Sequence, residues 1–217
     1  GTPESLKGVA MGELMGEDLS AAGWTSVRPD TLRLRPGQTR NLRVISRMPR
    51  GDQAQANYYA DIVLKGQYPS GQTAGETRTS LHVKSEQLDD APGGIIDRMA
   101  VSKGDGPSAY ILKAHFVNTG NVDVAPTMRG ELLDPERGQR VKRWRLNADQ
   151  RPVLPLGTRN FAGALDLASV EPGGYVLRVL AEIGDEQFAD RDLSVQVKAV
   201  EREGQVAKSL SVSDRKR

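Results

Sequence analysis

Alternation of apolar and polar residues with a period of two, in short runs cut by proline and glycine, constrains this chain more than any other feature. Leu32 and Leu34 alternate with Arg33 and Arg35, Pro36-Gly37 follows, and Leu42 and Val44 resume the alternation around Arg43. Successive side chains of a strand point to opposite faces, so such runs bury one face and solvate the other. Two of them on either side of a Pro-Gly turn predict a β-hairpin. A third run, 58–64, is rich in aromatic and β-branched residues, and a fourth, 78–84, sets Leu81 and Val83 against His82 and Lys84. Helical spacing fits none of these runs.

The alternation recurs over 95–101, 110–117, 127–133, 141–146, 159–165, 175–183 and 188–197, with turn-forming residues at 118–121, 134–138, 155–157 and 184–186. Strands spaced about 8–12 residues apart with turn signals between them indicate a β-sandwich. The 23 glycines and 12 prolines of the 217-residue chain are the composition such a fold needs. No apolar run approaches the ~18 residues of a membrane span. The chain has no cysteine, which excludes a disulfide framework and any thiolate nucleophile or metal ligand.

Length suits one large or two small domains, at about 150 residues per domain. The polar stretch 87–94, ending in Pro92, Gly93 and Gly94, separates two strand-rich blocks and reads as a linker. The expected organisation is an irregular segment over 1–23, a first domain over 24–86, the linker, a second domain over 95–198 and a polar tail over 199–217 with no core to join. Within 1–23, Met11, Leu14 and Met15 share a helical turn on paper, but Gly8, Gly12 and Gly16 oppose a helix. Gly1-Thr2-Pro3-Glu4 has the pattern of neither a signal nor a transit peptide. A processed fragment is therefore expected, whose compartment has to be inferred from fold and family.

Catalytic chemistry has little to work with. His82 and His115 stand apart, and neither has a second histidine at a ligand spacing. Asp89-Asp90 lies in the linker and Asp185-Glu186 in a turn, where carboxylates serve the local backbone. The chain is therefore expected to be non-enzymatic, with no metal and no cofactor. Charge is the unusual feature. Arg28, Arg33, Arg35, Arg40, Arg43, Arg47 and Arg50 share their window with a single acid, Asp30, so it carries +6 in a chain whose net charge is +2. Guanidinium forks suit carboxylate or phosphate, so one reading is an anionic partner; the other is a solvated sheet face that guards an edge. On the expected hairpin Arg33 and Arg35 share a face that Arg43 joins. Tyr58 and Tyr59 point to opposite faces, so one ring is expected outward. Arg33, Arg35, Arg43, Arg47 and Tyr58 are the candidate binding residues. Aromatic residues make up only 5% of the chain and none stacks beside the arginines in sequence, so nucleic acid is not an expected partner.

The stretch from Trp24 through Thr31-Leu32-Arg33-Leu34-Arg35-Pro36-Gly37-Gln38 to Tyr58-Tyr59-Ala60-Asp61-Ile62-Val63-Leu64 resembles bacterial extracytoplasmic Ig-like domains. It is similar to the N-terminal domain of periplasmic pilus-assembly chaperones and to the Ig-like peptidoglycan-binding domain of WxL-type surface proteins. Phe116-Val117-Asn118-Thr119-Gly120-Asn121, Pro126-Thr127, Val153-Leu154-Pro155 and Pro172-Gly173-Gly174-Tyr175 follow in the order of the latter. The resemblance implies an all-β chain of two tandem Ig-like β-sandwich domains. With about four strands in 24–86, against about seven in a complete sandwich, the first is expected to lack one or two N-terminal strands or to obtain them from elsewhere. The resemblance further implies an envelope binding or assembly module outside the cytoplasm. Its partner would be a protein pairing with an exposed strand edge over 78–84 or 31–35, or an anionic cell-wall polymer on the arginines. A passive spacer in a larger surface protein is the remaining reading.

Overall fold

The computed structural model describes residues 10–11, 14–50, 54–148, 151–202 and 205–212. The chain is all-β and divides into two units, 1–91 and 92–217. In the first, β1 (Ala10–Met11) pairs with β2 (Leu14–Met15), β3 (Thr25–Arg28) with β4 (Arg43–Ser46), and β5 (Asn57–Gln67) with β6 (Thr73–Lys84), each as a separate two-stranded antiparallel sheet. Residues 1–9, 12 and 13 of the segment expected to be irregular lie outside the described residues. The rest of that segment is used: Leu19 and Ala21 are fully buried, and Ala21 donates its amide to the Tyr59 carbonyl at 2.8 Å. Around Ala21, Tyr58 and Ala60 pack Trp24, Met48, Leu81 and Val83. Trp24 meets the Tyr58 ring edge-on at 5.1 Å.

The expected hairpin of Leu32–Leu34 with Leu42–Val44 does not form. Val44 pairs instead with Val27, and residues 32–35 carry no ladder. Pro29 and Pro36 flank that segment and cannot donate a ladder hydrogen bond. The Arg35 carbonyl and amide are used in a tight turn, with the Gln38 amide at 2.9 Å and its side-chain oxygen at 3.1 Å. Leu34 remains 53% exposed, so its alternation meets no core.

The second unit is a β-sandwich. β7 (Ile95–Lys103), β8 (Ala109–Val117) and β11 (Thr158–Asp166) form a sheet in the order β11-β8-β7. β9 (Thr127–Asp134), β10 (Gln139–Leu146), β12 (Gly173–Ile183), β13 (Glu186–Arg202) and β14 (Gln205–Val212) form the other, in the order β10-β9-β12-β13-β14. The chain changes sheet after β8, β10 and β11, which gives the three-plus-four strand arrangement of an Ig-like sandwich, extended by β14. Alternation in β8 buries Leu112, Ala114 and Phe116 against Met128, Leu132, Phe161, Leu177 and Val179. Tyr175, at the start of β12, donates its hydroxyl to the Glu171 carbonyl at 2.9 Å, the corner tie seen at this point of Ig-like folds. Burial raises the phenol pKa, and the Asp134 and Glu171 carboxylates add to the rise. The neutral donor therefore persists to higher pH than a free tyrosine, and its contribution is lost only as pH climbs through that raised value.

The polar tail does join the sandwich. Gln205–Val212 pairs along β13 from Arg202↔Gln205 to Val195↔Val212. Ala207 is buried, and the Tyr110 hydroxyl accepts the Leu210 amide at 2.8 Å while Ser108 Oγ accepts that of Lys208 at 2.9 Å. Val206, Ala207, Leu210 and Val212 lie in this strand, but among the charged residues of the tail they gave the composition no apolar block to mark it.

Trp144 of β10 lies directly across the ladder from Gly130. A methyl at Gly130 would come within 2.4 Å of the indole. Gly130→Ala should lower the stability of the second unit by about 1–3 kcal/mol through overpacking. Gly174→Ala, whose methyl would meet only the Gln196 side-chain oxygen at 3.6 Å, should be neutral or slightly stabilising. Denaturant midpoints of the two variants check the contrast.

Candidate binding surfaces

The β5–β6 ribbon is the first candidate. Its base is buried on both faces: Asn57, Tyr58, Tyr59 and Ala60 are all buried, whereas β5 from Leu64 to Gln67 and β6 from Thr73 to Ser80 are exposed throughout. The two strands stay in register from Asn57↔Lys84 to Gly66↔Gly75. The connecting turn closes through Gly71, whose amide reaches the Tyr68 carbonyl at 2.9 Å and whose φ of +83° suits glycine. On one face Arg78 lies 3.6 Å from Asp61 and Lys65 lies 3.6 Å from Glu76. Ion pairs this exposed contribute about 0–1 kcal/mol, so the backbone ladder holds the arm together. Among the described residues β6 has no strand neighbour other than β5. Its outward backbone donors and acceptors over 73–80 therefore face solvent.

A polar brace anchors the ribbon's base. His82 stacks on Tyr59 with centroids 4.8 Å apart, and its Nε2 lies 2.6 Å from Asn57 Oδ1. Asn57, fully buried, donates Nδ2 to Asp90 Oδ1 at 2.9 Å, and Lys84 Nζ lies 2.5 Å from Asp90 Oδ2. The Asn57 hydrogen bond, then that from Lys84, holds the Asp90 carboxyl below its ordinary value. Its contribution is present above the usual carboxylate range and fades as pH falls through the lowered value. Asp90 lies inside the expected linker, yet is tied to β5 and β6. At the linker's other end Gly94 lies beneath Phe116, where a methyl would sit 2.3 Å from the ring.

The arginine window is the second candidate. All seven arginines from Arg28 to Arg50 are exposed. The shared sheet face expected for Arg33, Arg35 and Arg43 does not exist, because Arg33 and Arg35 lie in the connection between β3 and β4. Arg43 instead sits directly opposite Arg28 in the ladder, a placement in which like charges repel. Arg47 follows β4 and donates its amide to the Trp24 carbonyl at 3.1 Å. Among the described residues none of the seven forms an ion pair. The sandwich treats its arginines differently: Arg129 pairs with Glu182 at 2.8 Å, Arg140 with Glu131 at 3.0 Å, and Arg178 holds Asp192 with two hydrogen bonds of 2.7 Å. This lattice on the outer face of β9, β10, β12 and β13 was missed in the sequence. Its signal there was Arg129 and Glu131 two positions apart on one strand face.

Tyr58 does not belong to a binding surface. It is 3% exposed, and its hydroxyl accepts the Gln55 amide at 2.8 Å. Both rings of the Tyr58-Tyr59 pair are inside, because Ala21 and Trp24 cover one face of β5 and His82 the other. His115 is half-buried against Asp97, Nδ1 to Oδ1 2.5 Å. Burial pushes the Asp97 carboxyl up, but the His115 hydrogen bond and the charges of His115 and Arg98 outweigh it, so its pKa is lowered. Among the described residues no three His, Asp or Glu side chains cluster as a metal site would require, and no helix is long and apolar enough to cross a membrane.

No family model and no curated protein matches the chain. Solved structures similar to part of it include a GH3 β-glucosidase of Bifidobacterium adolescentis, 19% identical over 48% of this chain and 17% of that one, with a TM-score of 0.35. β-Glucosidase 3B of Thermotoga neapolitana, solved with glucose, is 17% identical over 48% of this chain and 16% of its own, TM-score 0.34. A CARDB domain from Pyrococcus furiosus, solved with di-metal ions, is 13% identical over 48% of this chain and 90% of its own, TM-score 0.28. The chain thus spans about a sixth of the length of the two glucosidases. Similarity at this level carries nothing about activity.

Proposed function

We propose that this chain is a non-catalytic binding and assembly module of the bacterial envelope, acting outside the cytoplasm, that takes an extended segment of a partner protein onto the outer edge of β6. The observation that carries the proposal is the exposed 73–80 edge, a row of backbone donors and acceptors with β5 on one side only. Such an edge is a template for strand addition, in which main-chain bonds give affinity. The resemblance to tandem Ig-like envelope proteins, including pilus-assembly chaperones, supports the compartment and the kind of work. The 78–84 segment, which the sequence marks as a docking rail, lies in β6; 31–35 forms no strand and is set aside.

Strand addition has a signature that other binding modes lack. A photo-cross-linker moved in the full chain from Gly75 to Thr77 to Thr79, in cells exporting it to the envelope, should label an extracytoplasmic protein. The labelled residue should step by two with each move. Adducts scattered without register, or confined to cytoplasmic proteins, would contradict the proposal.

The unpaired arginines favour a second reading, an anionic cell-wall polymer held by residues 28–50. Seven exposed guanidinium groups, two of them directly opposed, form a field that a polyanion would relieve. On this reading isolated cell wall should retain the chain at low salt and release it as salt rises. The combined replacement Arg28→Ala, Arg33→Ala, Arg35→Ala, Arg43→Ala should abolish retention. Retention indifferent to both salt and the replacements removes this reading.

A further inference from the structure

We infer that the strand taken onto β6 is β6 of a second copy of this chain, the two running antiparallel about a two-fold axis through Thr77. The inference rests on the reading of β6 as an open edge and names its occupant. A two-stranded ribbon exposed on both faces is marginal, whereas three or more strands make a stable sheet. Pairing two ribbons edge to edge converts both into one four-stranded sheet, and a two-fold interface requires only that one surface complement itself.

Among axes placed from Gly75 to Thr79, in the middle of the stretch exposed throughout, the sequence of β6 meets that requirement in one register. A two-fold axis normal to the sheet brings opposite each other only residues that project from the same face. With the axis at Thr77, Glu76 faces Arg78 of the second copy, and Arg78 faces its Glu76. Thr77 then faces its own equivalent, and Gly75 faces Thr79. Moving the axis by one residue either way sets Glu76 against Glu76 or Arg78 against Arg78, which is unfavourable. At Gly75 or Thr79 neither charge meets its opposite at all. Within the ribbon Glu76 already lies across the ladder from Lys65. The Thr77 register therefore builds rows that alternate in sign: Lys65, Glu76, then Arg78 of the second copy. Opposite charges and Thr–Thr pairs are among the favourable cross-strand combinations, and they recur here in a strand exposed from Thr73 to Ser80.

The test is a charge swap on the full chain, read by sedimentation over a range of concentrations at low salt, with circular dichroism confirming that each variant folds. The original chain should show a monomer–dimer equilibrium. Glu76→Arg and Arg78→Glu each place like charges opposite one another twice across the two-fold axis, and each should weaken association about tenfold. The double swap restores opposite pairs and should recover association to within about threefold of the original. A chain that stays monomeric throughout, or a dimer that ignores the single swaps, overturns self-pairing. So does a double swap as weak as the singles. The cross-linking register separates this failure from that of the broader reading. Cross-links that step along another envelope protein, with the chain monomeric, leave strand addition standing and remove only the second copy.

Discussion

Backbone hydrogen bonding that two strands cannot complete is the constraint on which the first unit turns. A strand has two edges, and a lone hairpin satisfies only the inner one of each. In the first unit β5 gains cover at its base, where residues 19–24 bury Leu19 and Ala21 and bridge Ser20 to Tyr59. Beyond Val63 nothing described covers either face, and β6 runs on with its outer side in water. The Asn57–His82–Asp90 brace fixes the root of this arm to a small apolar core. The arm is thus a ladder-paired ribbon with a packed and hydrogen-bonded root and a free edge.

The sandwich meets the same constraint by adding strands and packing its two sheets face to face, which leaves only β7, β10, β11 and β14 as edges. Its long strand β13 is flanked on both sides, by β12 and β14, and Tyr110 of β8 and Ser108 just before it tie β14 down. Its outer face also pairs charges internally, with Glu131 buried between Arg140 and Arg143. The first unit leaves both kinds of group open, namely backbone edges on β6 and guanidinium groups on residues 28–50. The binding functions proposed here draw on those open groups of the first unit.

Much of the sandwich was legible in the sequence because its strands alternate cleanly and their turns carry glycine, proline and asparagine. Leu112, Ala114 and Phe116 fell on the core face that their spacing predicts. Three features were not legible, each for a physical reason. Leu32 and Leu34 alternate as a strand does, but alternation reports only which side chains share a face, not whether a ladder partner exists. Gln205–Val212 carries Val206, Ala207, Leu210 and Val212, but this short apolar set is diluted in a charged tail and much of the strand's hold is its backbone ladder to β13. Tyr58 and Tyr59 both lie inside, because period two says that adjacent residues face opposite ways and not that one of those ways is water. Of the candidate site, the seven exposed arginines were readable as charge, but the opposition of Arg28 and Arg43 required the true register of β3 and β4. The open edge of β6 was foreseeable from the shortage of strands in 24–86, although its extent was not.

Amide hydrogen exchange on the dilute full chain tests the central claim, an edge of β6 left open by the chain itself, most directly. Alternate amides between Thr73 and Ser80, those pointing away from β5, should exchange at nearly the rate of an unstructured peptide. Amides of β8, which is flanked by β7 and β11, should be protected at every position. Uniform protection along β6 in a solution shown to be monomeric would mean that the chain already covers this edge, and would contradict the account.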